Sequence, residues 1–200
     1  MSHAMSRPPA TPPLAPEALR KAISPHLFPD DDALRTYAVL DGARVPELVD
    51  HLYDDKPEFV CLYRGELEPD MVEVAPYLVR LNPDTPFTNW VLADGWGQSW
   101  GIFALSTVDL ERLRRHFRSF LMVKSPDGRQ LYFRYYDPRV LRVYLPTCNA
   151  EELRFVFGPV QCLLGESADS ASLSQFELDN GSLKTAHWMA RVPPMVPTPP

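Results

Sequence analysis

Apolar positions come in short blocks whose spacing switches between two periods, about two residues for strands and about 3.6 for helices. Thr36-Tyr37-Ala38-Val39-Leu40 is rich in β-formers and stops at Asp41-Gly42, which reads as a strand followed by a turn. Pro46 then opens a helix with Val45, Leu48, Val49 and Leu52 on one face. Phe59–Tyr63, Tyr77–Leu81, Trp100–Leu105 and Val160–Leu164 read as further strands. Thr85-Pro86 and Asp137-Pro138 each look like an N-cap followed by proline at the first helical position. Ser106 or Thr107 is placed to cap a helix whose apolar stripe is Leu110, Leu113, Phe117 and Phe120. Asn149 with Glu152 is a capping-box analogue, and that helix should end at Gly158-Pro159. Leu121–Lys124 and Leu131–Tyr135 flank Ser125-Pro126-Asp127-Gly128, which reads as a hairpin, and Ser167–Ser174 reads as loop.

The spacing thus predicts helices over 46–54, 107–120, 138–146 and 150–158, and a hairpin turning at 126–129. Strands alternating with helices predict a single α/β domain with a mixed β-sheet flanked by helices, covering 17–192. Proline changes the picture only at the ends. There are 22 Pro against 9 Gly in 200 residues, five of them in the first 16 and five in the last eight. The segments 1–16 and 193–200 are therefore expected to be disordered Pro-rich tails.

Charge narrows the function classes. The net charge is −6, and it is uneven. Residues 30–60 hold nine acids and three bases, whereas 109–142 hold nine bases and four acids. Such asymmetry suits a charged protein partner better than nucleic acid, since the chain as a whole is acidic. No apolar run is long enough for a membrane span, and the first residues carry no secretory h-region. Three scattered cysteines fit a reducing cytosol and form neither a disulfide framework nor a metal pattern.

No nucleophile elbow, zinc helix, Walker loop or dinucleotide fingerprint occurs. The five histidines are dispersed, and His51 and His116 are expected on solvated helix faces. Cys61, in an apolar strand, is expected to be a small buried hydrophobe. Asp41, at the carboxyl end of a strand, is the best lone catalytic candidate; the plainer reading is a turn residue accepting backbone N–H bonds. The basic amphipathic segment 110–120 reads as an ordinary helix with a solvated Arg face, or as a contact for an acidic protein surface. Gly95–Phe103 and Tyr132–Arg139 are dense in Trp, Tyr and Arg, the residue types enriched at protein interfaces.

Taken together, LDGAR (40–44), LYRGEL (62–67), APYLVRL (75–81), GWGQSWGIF (95–103) and FRYYDPRVL (133–141) resemble the type VI secretion effector-adaptor family, first catalogued as domain of unknown function 4123. The resemblance covers about residues 34–165. It implies a cytoplasmic chaperone rather than an enzyme, with no cofactor and no metal. Its implied partners are a type VI effector and the VgrG spike protein, with no nucleic acid and no membrane. Many members carry a further C-terminal region, whereas only about 35 residues follow here. Two alternatives remain: a small α/β hydrolase or transferase using Asp41 with Arg64 or Arg134, or an immunity protein. The residues expected to bind the partner are Arg64, Trp96, Trp100, Arg134, Tyr136 and Arg139, with Asp137 a structural cap. Alternation along 132–136 puts Tyr136 outside with Arg134 and sends Tyr135 to the core.

Overall fold

The computed structural model describes residues 16–125 and 127–189. Nearly all of both expected tails, and Pro126 of the hairpin, lie outside the described residues. The described chain runs α1 (Pro16–Leu27), β1 (Arg35–Asp41), α2 (Leu48–Asp54), β2 (Phe59–Cys61), α3 (Pro69–Val74), β3 (Pro76–Leu81), α4 (Pro86–Asp94), β4 (Gly101–Ser106), α5 (Leu110–Ser119), β5 (Met122–Lys124), β6 (Gln130–Tyr132), α6 (Pro138–Tyr144), a 3₁₀ turn (Leu145–Thr147), α7 (Ala150–Phe157), β7 (Val160–Glu166), β8 (Ser172–Asp179) and β9 (Ser182–Met189). Seven strands form one sheet in the order β2-β3-β1-β4-β7-β8-β9, and β5-β6 form a separate hairpin.

The single α/β domain with flanking helices is as expected, but every strand pairing is antiparallel rather than mixed. Two strand–helix–strand crossovers do exist. In each, a third strand separates the two strands that run the same way. β1 and β2 flank β3, and β3 and β4 flank β1. Alternation along the chain is therefore genuine, while each hydrogen-bonded neighbour runs in the opposite direction.

Helices cover both faces of the sheet. Leu19, Ile23 and Leu27 of α1, Leu48 and Leu52 of α2, and Phe87 and Val91 of α4 pack with Ala38, Leu40, Val79 and Phe103 on one face. Leu113 and Phe117 of α5, Leu141 of α6, and Leu153 and Phe157 of α7 pack with Tyr37, Val39, Leu78 and Ile102 on the other. That is why the β1 sequence is a continuous apolar run rather than an alternation.

The helix signals located most starts. Thr85 caps α4, Asp137 caps α6, and Asn149 with Glu152 makes the capping box of α7. Two starts shift. Glu47 adopts a left-handed φ of 59°, so α2 begins at Leu48 rather than Pro46. Asp109, not Ser106 or Thr107, caps α5; Ser106 Oγ donates instead to the Pro159 carbonyl at 2.7 Å. His51 and His116 are only partly solvated. His51 stacks on Trp90 with ring centroids 3.7 Å apart, and His116 is half-buried beside Phe117 and Phe120 with Nε2 2.8 Å from the Val156 carbonyl. Burial pushes the His116 pKa down, opposed by that carbonyl contact.

Candidate functional site

The sequence motifs that stand far apart in the chain meet at one end of the central sheet. Asp41 ends β1, Gly101 begins β4, Glu166 ends β7, and Asp137 and Pro138 begin α6. The β1–β4 pairing brings the first two together: Asp41 N–H donates to the Trp100 carbonyl at 2.9 Å. Glycine is required at the close approaches here. A Cβ at Gly101 would fall on the Val39 carbonyl oxygen, and one at Gly42 on the Glu73 and Ala75 carbonyls.

Three acidic side chains at this end are almost fully buried, and each accepts hydrogen bonds from groups of this chain. Asp41 is 1% exposed, pairs with Arg134, and accepts the Ala43 N–H at 3.2 Å. Asp137 accepts the Arg139 backbone N–H at 2.9 Å and binds the Arg139 guanidinium through two nitrogens at 2.9 and 2.5 Å. Burial pushes the Asp137 pKa up, but the Arg139 bonds outweigh it and hold the carboxyl below its usual value. Glu166 accepts the Gly97 N–H at 2.7 Å, the Ser99 N–H, and the Ser170 hydroxyl at 3.1 Å.

Glu166 therefore ties down the loop of the GWGQSW motif. Trp96 Nε1 donates to the Ser170 carbonyl at 2.6 Å, Arg44 holds the Gln98 carbonyl at 3.1 Å, and Arg142 reaches the Glu166 carbonyl. Trp100 lies against Trp90 with centroids 4.9 Å apart. Trp96 and Trp100 are half-buried and packed against the apolar core.

The six residues expected to meet a partner do not share one surface state. Arg64, Arg134 and Arg139 present exposed guanidiniums, and Trp96 and Trp100 are anchored as above. Tyr136 is buried at 2%, so its expected exposure is corrected. The reason is local: β6 ends at Tyr132, and a turn at 135–136 breaks the alternation, sending both Tyr135 and Tyr136 inward. Burial, then the nearby Asp41 charge, pushes the Tyr136 hydroxyl pKa well up. Cys61 is partly buried, and burial raises its thiol pKa.

Sequence reasoning missed Glu166, Arg142 and Arg118. Arg118, on the helix face expected to be solvated, donates to the carbonyls of Cys61, Leu62 and Tyr63. The signal for Glu166 is an acid closing an apolar run, in a strand covered on both faces. Sequence reasoning also missed an apolar surface. Met122, Val123, Leu131 and Tyr132 of the β5–β6 hairpin are exposed, as is Val143 of α6 at 71%. Tyr132 leans on Tyr63, next to Arg64, with centroids 4.8 Å apart. Phe133 meets Tyr144 edge-on at 4.7 Å and links the hairpin to a shallow groove lined by Arg139, Val140 and Val143.

Asp137→Ala is expected to cost about 1–2 kcal/mol, because it removes an N-cap and an ion pair whose Arg139 side is half exposed. Urea denaturation measures it. A change below about 0.5 kcal/mol would show that Asp137 does not hold α6 in place.

Among the described residues, no group of three or more His, Cys, Asp or Glu is placed to hold a metal ion. No helix among them is long and apolar enough to cross a membrane. A family model described as "Domain of unknown function (DUF4123)" matches residues 36–154, from β1 into α7. No curated protein and no solved structure matches the chain.

Proposed function

The chain belongs to the DUF4123 family, and we propose that it is a cytoplasmic adaptor that binds a cognate type VI secretion effector and helps load it onto the VgrG spike protein. The observation that carries this reading is the set of exposed apolar side chains at the β5–β6 hairpin, Leu131 and Tyr132 on its two faces, and at Val143 of α6, with Arg64, Arg134 and Arg139 exposed on neighbouring segments. Contiguous exposed apolar groups rimmed by charge mark protein-binding surfaces. Arg134 and Arg139 are each paired with a buried Asp, so Arg64 is the rim charge that suits an acidic group on the partner. The rest of the site supports a binding role over catalysis. A general base needs a carboxylate free to take a proton, whereas Asp41 is held between Arg134 and a backbone N–H. The adaptor works without cofactor, metal, nucleic acid or membrane.

The test is a pull-down with the effector encoded beside it. Tyr132→Ala and Val143→Asp change exposed side chains, so both variants should keep the wild-type circular dichroism and melting temperature. Each should lose about thirtyfold in effector affinity, the effect of losing a central hot spot of about 2 kcal/mol. Full capture by both variants would exclude this surface. No complex between the wild-type chain and that effector would exclude the adaptor reading.

A further inference from the structure

β9 is an outer strand of the large sheet, and among the described residues no strand pairs with its far side. Its hairpin with β8 fixes which backbone groups face outward. Asn180 and Gly181 form the two-residue turn, both at positive φ (50° and 82°), and Asp179 faces Ser182 across it. In such a turn the flanking residues exchange both backbone hydrogen bonds, and bonded pairs then alternate along the ladder. Ser182, Lys184, Ala186 and Trp188 thus aim their N–H and C=O at β8 through partners Asp179, Glu177, Gln175 and Leu173. Leu183, Thr185, His187 and Met189 aim theirs away from the sheet. The row has no proline and no register shift, and it carries a single charge, Lys184. Edges of this length are normally blunted by such devices.

We propose that this edge is covered by the same edge of a second copy, joining two seven-stranded sheets about a two-fold axis through Ala186. The side-chain order supports that occupant, because β9 is complementary to itself in one antiparallel register. Ala186 lies opposite Ala186 of the second copy, so the smallest side chain sits where the strands approach most closely, at about 4.5 Å between Cα atoms. Lys184 lies opposite Trp188 of the second copy on the same face; both side chains are exposed, with the ammonium also 3.6 Å from Glu177 and one face of the indole stacked on His26, which leaves the other face for the ammonium. Leu183 meets Met189, and Thr185 meets His187. The four outward residues each exchange two backbone bonds. The neighbouring registers are worse. A slip one way sets His187 against itself, and a slip the other way loses the Lys184–Trp188 contact. A further slip in the second direction sets Lys184 against Lys184.

Light scattering on the purified full chain over a wide concentration range should follow a monomer–dimer equilibrium, because an edge-to-edge contact of this kind is small. Thr185→Pro removes an outward N–H and no bond to β8, so it should weaken the dimer at least about tenfold while circular dichroism is retained. Ala186→Cys should form a disulfide-linked dimer on mild oxidation, because a symmetric non-bonded pair lies within disulfide reach. Wild type and Thr185→Cys are the controls. If Thr185→Pro fails to fold, the Ala186→Cys cross-link decides. A chain that stays monomeric throughout would overturn the proposal, as would a dimer that ignores Thr185→Pro and is not trapped by Ala186→Cys. A strand donated to β9 only by another protein would give the monomeric result.

Discussion

Arg134→Ala is expected to destabilise the fold by about 2–4 kcal/mol. Its guanidinium is the charge that balances Asp41, which is 1% exposed. Removing one member of a buried ion pair typically costs about 3–5 kcal/mol, because the other charge is left uncompensated. The lower figure here allows for the Arg134 side chain being 44% exposed and screened by solvent. The Ala43 N–H at 3.2 Å is a long and weak substitute. Adding Asp41→Asn to Arg134→Ala should recover part of the loss, since no charge then remains to be buried. Urea denaturation of the wild type, both single variants and the double variant measures the coupling. A loss below about 0.5 kcal/mol for Arg134→Ala would mean that Asp41 does not depend on it. From sequence, Arg134 is expected to bind the partner. With Asp41 beneath it, any loss of binding to the proposed partner in Arg134→Ala would follow from lost stability, so that proposal is better tested at Tyr132 and Val143.

Glu166→Ala is expected to cost about 3 kcal/mol and to free the loop that carries Trp96 and Trp100. Hydrogen bonds to a charged group contribute about 1.5–3 kcal/mol each, and Glu166 accepts two from backbone N–H groups and one from Ser170. Part of the loss is offset, because Gly97 and Ser99 lie near the surface and regain water. Glu166→Gln keeps the shape without the charge and should fall between the two. Tryptophan emission should shift to the red in Glu166→Ala, and limited proteolysis should cut within 95–100. An unchanged spectrum with an uncut loop would show that the Trp96–Ser170 and Arg44–Gln98 bonds hold it unaided.

Local chemistry was legible in the sequence, and long-range pairing was not. Thr85, Asp137, Asn149 and Gly158 marked helix ends because a cap is decided by residues within one turn. The direction of neighbouring strands depends on which strand inserts between two others, and no local pattern records that. The hairpin of β8 and β9 had a readable signal, Asn180-Gly181, but the residues around it are polar because β9 is an exposed edge. The α1 helix was obscured by Pro25 and by the proline-rich segment before it. At the candidate site, sequence density pointed to the right segments but not to the right faces. Tyr136 turned inward because its strand ends four residues earlier. Glu166 went unseen because its partners, Gly97 and Ser99, are backbone groups more than sixty residues away.

The interleaved crossovers also impose an order on folding. β1 sits between β3 and β4, and both follow it in the chain. A growing chain that has reached residue 75 holds β1 and β2 with neither of their sheet partners. Its apolar run Tyr37–Leu40 must stay unpaired until β3 arrives, and its other edge stays open until Ser106 has emerged. Pairings this distant carry a loop-closure cost before they return any contact, which slows folding. The most buried strand among the described residues is thus the first made, yet both its edges are filled only about sixty-five residues after it has emerged, and that interval exposes the chain to aggregation.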